Sequence, residues 1–259
     1  MDKLAICYTC CGPTYRKTAR DKLINLHKDN ADIFYFVITE DVDYFKDVKR
    51  KNLIVKNLKD FYDKYPHVEK YESFLESESL EDYAKKFIAT KYRFPFSVNR
   101  FNFILAKEYN IKNVALLGTD TDINLDRYKS LKDKDNRIYN AVSRWFEVTS
   151  KKNMHLIVDL LKSKYNITVD EKIMIYDAAG KLFCFDKIDH MMRFLDIWDD
   201  VIETMYKTKN IHLFQGSYAV NNEYILAPIY NALNISGIPS DTPRLFEVKH
   251  NPEVERPWL

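Results

Sequence analysis

Two aspartates separated by one residue follow an apolar run in the middle of the chain. The run covers residues 114–117, and the acids are Asp120 and Asp122. A short apolar run bounded by turn residues is typical of a buried strand, and ligands of open α/β sheets lie at the carboxyl ends of strands. Two carboxylates there suit Mg2+ or Mn2+, which take oxygen ligands and bridge phosphates. The pattern favours a metal site; the alternative is that both acids cap a helix beginning near Asn124.

Composition and charge exclude several classes of protein. The chain has 259 residues, and 40 Lys+Arg against 38 Asp+Glu give a net charge of +2. Such a balance creates no bulk field that would attract nucleic acid or a membrane surface. No apolar run approaches the length of a membrane span, and the first residues predict a strand rather than a signal peptide. We therefore expect a soluble, cytoplasmic protein with a single domain over residues 1–259, no transmembrane segment and no bound nucleic acid.

A C-x-x-C pair near the start of the chain has three interpretations. Cys7 and Cys10 are compatible with a redox pair or with half of a zinc site. No second C-x-x-C follows, and the pair straddles a strand end instead of opening a helix. Structural thiols in a reducing compartment are the interpretation that the pattern favours.

Strands and helices alternate through the first part of the chain, which predicts a mostly parallel sheet. The opening loop lacks both the dinucleotide-binding G-x-G-x-x-G and the P-loop pattern. A hairpin is indicated around residues 177–180, between strands at 173–176 and 182–185. Other strands are predicted at 4–9, 33–39, 53–55, 114–117, 211–220 and 245–250, and helices at 19–26, 79–88, 97–109, 155–165, 188–205 and 223–233.

Three basic residues surround the break that Pro95 introduces between two predicted helices. They are Lys91, Arg93 and Arg100. One interpretation is a solvated face. The other is that Arg100 or its neighbours contact a diphosphate, because a guanidinium matches phosphate oxygens in a fork.

The order of these features resembles that of nucleotide-sugar glycosyltransferases of the GT-A fold. The residues that carry the resemblance are the strand at 4–9 with its loop, Asp120-Thr-Asp122, the stretch 214–217, and His250. It implies an α/β, Rossmann-like protein with a mostly parallel central sheet flanked by helices and a small antiparallel hairpin region. A nucleotide-binding half would cover about residues 1–125 and an acceptor-binding half about 126–259.

The resemblance also implies roles for the acidic pair and the late histidine. In this family the pair is the D-x-D motif, which binds Mn2+ or Mg2+, and the cation binds the diphosphate of the donor. Asp120 and Asp122 would then be metal ligands, with Asp120 also near the ribose. His250 would be a third ligand, as in several branches of the family; a surface histidine is the alternative.

Donor-binding residues follow from the same resemblance. The loop after the first strand commonly houses the base, which makes Tyr8, Thr9 and Tyr15 candidates. Tyr8 has a core position as its alternative, since strand residues alternate between faces. A glycine within a strand often marks close approach of a ligand, so Gln215 and Gly216 would line the sugar pocket.

The identity of a catalytic base depends on the stereochemical course. An inverting enzyme needs a carboxylate to deprotonate the acceptor hydroxyl, and the candidates are Asp241, Asp199 and Glu223. Asp241 precedes Thr242-Pro243 and has a helix N-cap as its alternative. Asp199 is otherwise the edge of a polar helix face. In a retaining enzyme no base is needed, and Gln215 would face the reacting sugar.

The sequence thus predicts a metal-dependent hexosyl- or pentosyltransferase. It would move a sugar from a UDP- or GDP-sugar to a hydroxyl of an acceptor glycan. Two other functions remain: a phosphatase of the haloacid dehalogenase type with Asp120 as nucleophile, and a non-catalytic GT-A-like module that binds sugar nucleotides.

Overall fold

A central sheet with helices on both faces organises the chain. The computed structural model describes residues 3–10, 12–25, 30–66, 95–119, 121–126, 128, 138–147, 154–207, 215–216, 219–220, 228–229 and 246–248. The strands are β1 Leu4–Cys10, β2 Ile33–Thr39, β3 Leu53–Asn57, β4 Asn113–Leu117, β5 Thr121–Ile123, β6 Ile138–Glu147, β7 Lys172–Phe185, β8 Gln215–Gly216, β9 Ala219–Val220 and β10 Phe246–Val248. The helices are α1 Pro13–Asn25, α2 Leu58–Tyr62, α3 Pro95–Glu108, α4 Met154–Tyr165 and α5 Ile188–Lys207, and a 3-10 turn covers Val42–Phe45.

The main sheet has six strands in the order β3-β2-β1-β4-β7-β6. The first four are parallel: β1 pairs with both β2 and β4, and β2 pairs with β3. The last two are antiparallel, because β7 pairs in that sense with β4 and with β6. The inner strands read as continuous apolar runs since both faces of the sheet are covered. The expected α/β class, with a mostly parallel sheet and an antiparallel region, is confirmed.

Each face of the sheet carries its own hydrophobic core. On one face α2, α3, α4 and α5 pack around buried side chains that include Phe101 and Trp198. On the other face α1 contributes Ala19 and Leu23, and β5 contributes Ile123. The acidic strand β5 and helix α1 therefore share one face of the sheet, and helices α3 and α5 share the other.

Several predicted boundaries are matched and others move for identifiable reasons. The predicted strand at 33–39 coincides with β2, and the apolar stripe predicted at 188–205 is α5. Helix α1 starts six residues before its predicted beginning, at Pro13, and α3 starts at Pro95. Proline suits the first position of a helix, where its missing N–H costs nothing. The predicted helix at 79–88 lies outside the described residues.

The hairpin predicted around residues 177–180 is wrong. Strand β7 runs without a break from Lys172 to Phe185. Asp177 pairs with Ala141 and Leu182 pairs with the preceding residue Asn140, so residues 178–181 form a bulge in β7. The second half of β7 lies between β4 and β6, and pairing on both sides outweighs the local preference of glycine for a turn.

The single strand predicted at 211–220 is also corrected. Within the described residues, Gln215 pairs with Val220 and Gly216 with Ala219 in an antiparallel ladder. The chain therefore reverses direction between β8 and β9, which places Gly216 at a hairpin end. A membrane-crossing helix of sufficient length and apolarity is not found among the residues that the structure describes.

Replacing Phe101 by alanine tests the larger core. Its ring is fully buried and stacks on Phe61, with ring centroids 4.1 Å apart. We expect Phe101→Ala to lower the free energy of unfolding by about 3–5 kcal/mol, through lost transfer energy and a cavity. Urea denaturation measures the change. Ile24→Ala, at an exposed position of α1, is the control and should shift stability by no more than about 0.5 kcal/mol. Equal effects of the two variants would contradict the packing described here.

Candidate functional site

The acidic strand lies just beyond the carboxyl end of β4. In the sheet, Leu117 at the end of β4 pairs with Tyr8 of β1. The Thr121 N–H donates to the Gly118 carbonyl at 2.9 Å, which closes a turn between β4 and β5. The central residue of β5 is Asp122. The turn therefore delivers Asp122 to the edge of the sheet where open α/β proteins bind ligands.

Asp122 is a strand residue, so the alternative in which it caps a helix does not hold. It pairs across the strands with Glu247 of β10, and Thr121 pairs with Val248. A helical turn does follow, where the Tyr128 N–H donates to the Asn124 carbonyl at 2.9 Å, but it begins after β5 has ended. Backbone pairing with β10 thus sets the position of the acidic residue.

Lys22 of α1 reaches this strand through the protein interior. Its ammonium lies 2.8 Å from Asp122 Oδ1 and donates to the Thr121 carbonyl at 2.9 Å. The side chains are only 7% and 14% exposed for Lys22 and Asp122. A charged group so far from water is tolerated when it is paired and hydrogen-bonded. The ion pair therefore ties α1 to the acidic strand.

Tyr8 lies in the core beside this pair and not on the open edge. Its side chain is fully buried. Burial, and secondarily the charge of Asp122, raises the pKa of Tyr8 well above its usual value. The phenol therefore stays protonated at neutral pH. Of the two interpretations of Tyr8, a base-binding residue or a core residue, its burial matches the core position.

Both cysteines of the C-x-x-C lie in the protein interior. Cys7 and Cys10 are buried and form no disulfide, and burial raises the pKa of the Cys7 thiol well above its usual value. Thiolate, the nucleophilic form, is therefore disfavoured at Cys7.

A carboxylate at the end of β2 holds the loop between β1 and α1. Gly12 adopts a positive φ of 93°, a conformation that glycine reaches without strain. Its N–H donates to Glu40 Oε1 at 2.6 Å, and Arg16 forms an ion pair with the same carboxylate. Tyr15 in the first turn of α1 is 37% exposed. The loop is thus fixed by charge-assisted bonds while Tyr15 stays accessible.

Thr9 belongs to a small polar cluster between β1 and α3. Its hydroxyl donates to Asn99 Oδ1 and accepts from Asn102 Nδ2, both at 3.4 Å. Asn102 is fully buried, and its Oδ1 has no hydrogen-bond partner among the described residues. Buried amide groups usually have hydrogen-bond partners. Core packing alone therefore does not explain why polar side chains occupy these positions.

Arg100 forms a fork with two carboxylates of α5. Its Nη1 donates to Asp196 Oδ1 and its Nη2 to Asp199 Oδ2, both at 2.7 Å. Arg100 and Asp199 are buried, whereas the Asp196 side chain is 65% exposed. These bonds join α3 to α5. The predicted diphosphate ligand and one predicted catalytic base are therefore partners of each other.

The structure describes only some of the remaining predicted site residues. Asp120, Asp241 and His250 lie outside the described residues. Gln215 and Gly216 form β8, and only their backbone is described. Within the described part of the chain, no three Asp, Glu, His or Cys side chains come together in a way that could hold a metal. The roles assigned to all these residues stay predictions.

The sequence patterns assigned no role to Lys22, Glu40, Asn99 or Asn102. Lys22 occurs in a helix rich in basic residues, of which Lys17 is exposed and Arg16 and Arg20 are half-buried. The two asparagines lie three positions apart in a helix with many apolar residues, which was a readable signal, since polar residues on a buried stripe require partners. Glu40 follows a buried strand directly, as the acidic pair follows β4.

A cavity of about 430 Å3 lies at the opposite edge of the sheet. Ala106 and Asn110 line it from the end of α3, and Ile188 from the beginning of α5. Lys112 and Asp186, also in its wall, approach each other at 3.5 Å. Because it lies by the amino end of β4, this cavity is separate from the acidic strand.

Comparison with known proteins gives structural likenesses at low sequence identity. No protein-family model matches the chain, and no curated protein matches it. Among solved structures, it is similar to mouse xyloside xylosyltransferase 1 in its apo form, at 11% identity and a TM-score of 0.46, over 92% of this chain and 84% of that one.

Two further likenesses are to structures of one galactosyltransferase, LgtC. The complex of LgtC with donor and acceptor sugar analogs shares 12% identity, with a TM-score of 0.41. An active-site mutant of LgtC shares 13%, with a TM-score of 0.42. Each covers 97% of this chain and 88% of the LgtC chain. The sugar analogs belong to the LgtC complex.

Replacing Asp199 by asparagine separates a structural role from a catalytic one. Removing the Asp199 charge leaves the buried Arg100 guanidinium with the largely exposed Asp196 as counter-ion, and we expect this loss of a charge-assisted bond to cost about 1.5–3 kcal/mol of stability. Chemical denaturation measures this. Asp196→Asn is the matched control on the same helix and should cost about 1 kcal/mol or less, because Asp196 is largely exposed. An Asp199→Asn protein of undiminished stability that cannot transfer sugar would instead identify a catalytic base.

Proposed function

We propose that the protein is a metal-dependent glycosyltransferase. It transfers a hexose or pentose from a nucleoside diphosphate sugar, a UDP- or GDP-sugar, to a hydroxyl of an acceptor glycan. One observation carries the proposal: the Asp122 carboxylate stands on a short strand at the carboxyl edge of the parallel sheet, directly after β4. That edge is where open α/β sheets bind nucleotides.

The donor nucleotide is proposed to bind over the ends of β1 and β4. Glu40 fixes the loop after β1 through the Gly12 N–H, and Tyr15 in the following turn remains accessible to a base. Thr9 lies at the same end of β1, held by Asn99. These contacts pre-organise one wall of the pocket, which lowers the entropy cost of donor binding.

Asp120, Asp122 and His250 are proposed to hold Mn2+ or Mg2+. Of these, Asp122 alone lies within the described residues, and its carboxylate oxygens suit a hard cation. Support for the set comes from chain order: Val248 pairs with Thr121, Asp120 directly precedes Thr121, and His250 follows Val248 by two positions. When bound, the cation would act as a Lewis acid and neutralise the charge that builds on the leaving diphosphate.

The acceptor half is proposed to cover about residues 126–259, and the nucleotide half about 1–125. Asp241 is the preferred candidate for the base that deprotonates the acceptor hydroxyl, because Asp199 already serves as counter-ion to Arg100. Gly216 at the end of β8 lets a sugar approach the backbone closely, and Gln215 beside it offers an amide for sugar hydroxyls.

The test is hydrolysis of a panel of UDP- and GDP-sugars with and without Mn2+. Asp122→Asn should reduce Mn2+-dependent release of nucleoside diphosphate by about 100-fold or more, because the variant loses a charged ligand. Circular dichroism shows whether the variant is folded. Asp189→Asn, with a side chain 87% exposed, is the control and should hydrolyse donors like the original protein.

Undiminished hydrolysis by folded Asp122→Asn would refute the metal-dependent mechanism. Trapping of a phosphorylated Asp120 would point to the phosphatase. Donor binding without any turnover would identify a binding module.

A further inference from the structure

Burying a lysine beside a candidate metal ligand has a cost in desolvation free energy. Lys22 occupies α1 between Ala19 and Leu23, which belong to the hydrophobic core. Desolvating an ammonium is costly, and an uncharged side chain of similar length would fill the space without that cost. The position therefore points to a use for the positive charge beyond packing.

We propose that Lys22 is the internal counter-cation of the acidic motif. Its ammonium neutralises Asp122 when no divalent cation is bound, and it sets the net charge of the site in both states. This rests on the proposed function, because it takes Asp122 to be a ligand of the catalytic cation. Lys22 is thus a positioning residue that acts on the donor through Asp122.

The contacts show how lysine and cation can share one carboxylate. The ammonium lies at a single oxygen, Asp122 Oδ1, and is held in place by the Thr121 carbonyl. The lysine side chain is the more deeply buried of the two. The Asp122 side chain keeps 14% of its surface exposed to solvent, and we assign the metal ion to this exposed part. Strand pairing with β10 holds Asp122 whether or not the lysine charge is present.

The Lys22 charge changes the net charge of the site with and without a bound cation. With Asp120 and Asp122 as the proposed ligands, two carboxylates and the Lys22 ammonium give the site a single net negative charge, and a divalent cation would convert it to a single net positive charge. Without the lysine, the loaded site would be neutral. A net positive site favours the binding of a diphosphate. The same lysine charge repels the metal ion, so the cation binds more weakly when no nucleotide is present.

Direct Mn2+ binding to the protein tests this inference without any activity measurement. Electron paramagnetic resonance of free Mn2+ gives the dissociation constant in the absence of nucleotide. Lys22→Met should bind Mn2+ about tenfold more tightly than the original protein, because a positive charge in contact with a proposed metal ligand has been removed. Lys22→Arg keeps the charge and should bind within about threefold of the original.

A surface lysine provides the matched control. Lys107 pairs with Asp189, and its side chain is 50% exposed. Because solvent screens such a pair, Lys107→Met should leave Mn2+ affinity within about twofold of the original value.

Thermal stability gives a second readout. In EDTA, Lys22→Met should melt about 5–10 °C below the original protein, because the mostly buried Asp122 carboxylate loses its contact with the Lys22 ammonium. Saturating Mn2+ should raise the melting temperature of Lys22→Met more than that of the original. If Lys22→Met does not fold, Lys22→Gln takes its place, since its amide is uncharged and can still donate a hydrogen bond.

The outcomes separate this inference from the proposed function. If the original protein binds Mn2+ and the uncharged variant binds it equally or more weakly, the counter-cation role is overturned while the transferase stands. If neither protein binds Mn2+ and Asp122→Asn leaves donor hydrolysis unchanged, the metal mechanism fails and the role of Lys22 fails with it. Tighter binding by the uncharged variant supports the inference.

Discussion

Parallel pairing of β1 with β2 on one side and β4 on the other determines which residues lie together at the carboxyl edge of the sheet. Cys10 pairs with Thr39, and Tyr8 with Leu117, so all three strands end at the same edge. Backbone hydrogen bonds enforce this register, and a shift by one residue would turn each strand's side chains to the other face. Glu40 can hold the Gly12 loop, and Asp122 can follow β4 nearby, because these strand ends coincide.

Charged groups inside the protein are arranged as pairs on opposite faces of the sheet. Lys22 and Asp122 join α1 to β5 on one face, and Arg100 and Asp199 join α3 to α5 on the other. Buried pairs are weak evidence for stability, since their desolvation offsets much of their attraction. Here the pairs fix the positions of helices: one holds α1 against β5, and the other holds α3 against α5.

Local patterns predicted the elements well where the chain is strongly apolar. The continuous runs of β1, β2 and β4 and the stripe of α5 were readable, because period and burial agree along each of them. The bulge in β7 was not readable, since Asp177-Ala-Ala-Gly180 has turn-forming composition and only pairing with β4 and β6 keeps it within a strand. The hairpin of β8 and β9 was missed because strands of two residues carry no period.

The amino-acid sequence by itself determined an α/β chain with an acidic pair after a buried strand, because those features depend on residues adjacent in the chain. Tertiary structure alone decided that Lys22 meets Asp122 and that Arg100 meets Asp199, pairs about a hundred positions apart. It also decided that Tyr8 belongs to the core. Nothing local distinguishes a lysine that will be buried from its solvated neighbours, since the distinction arises only when a helix packs on a sheet and excludes water from one side chain.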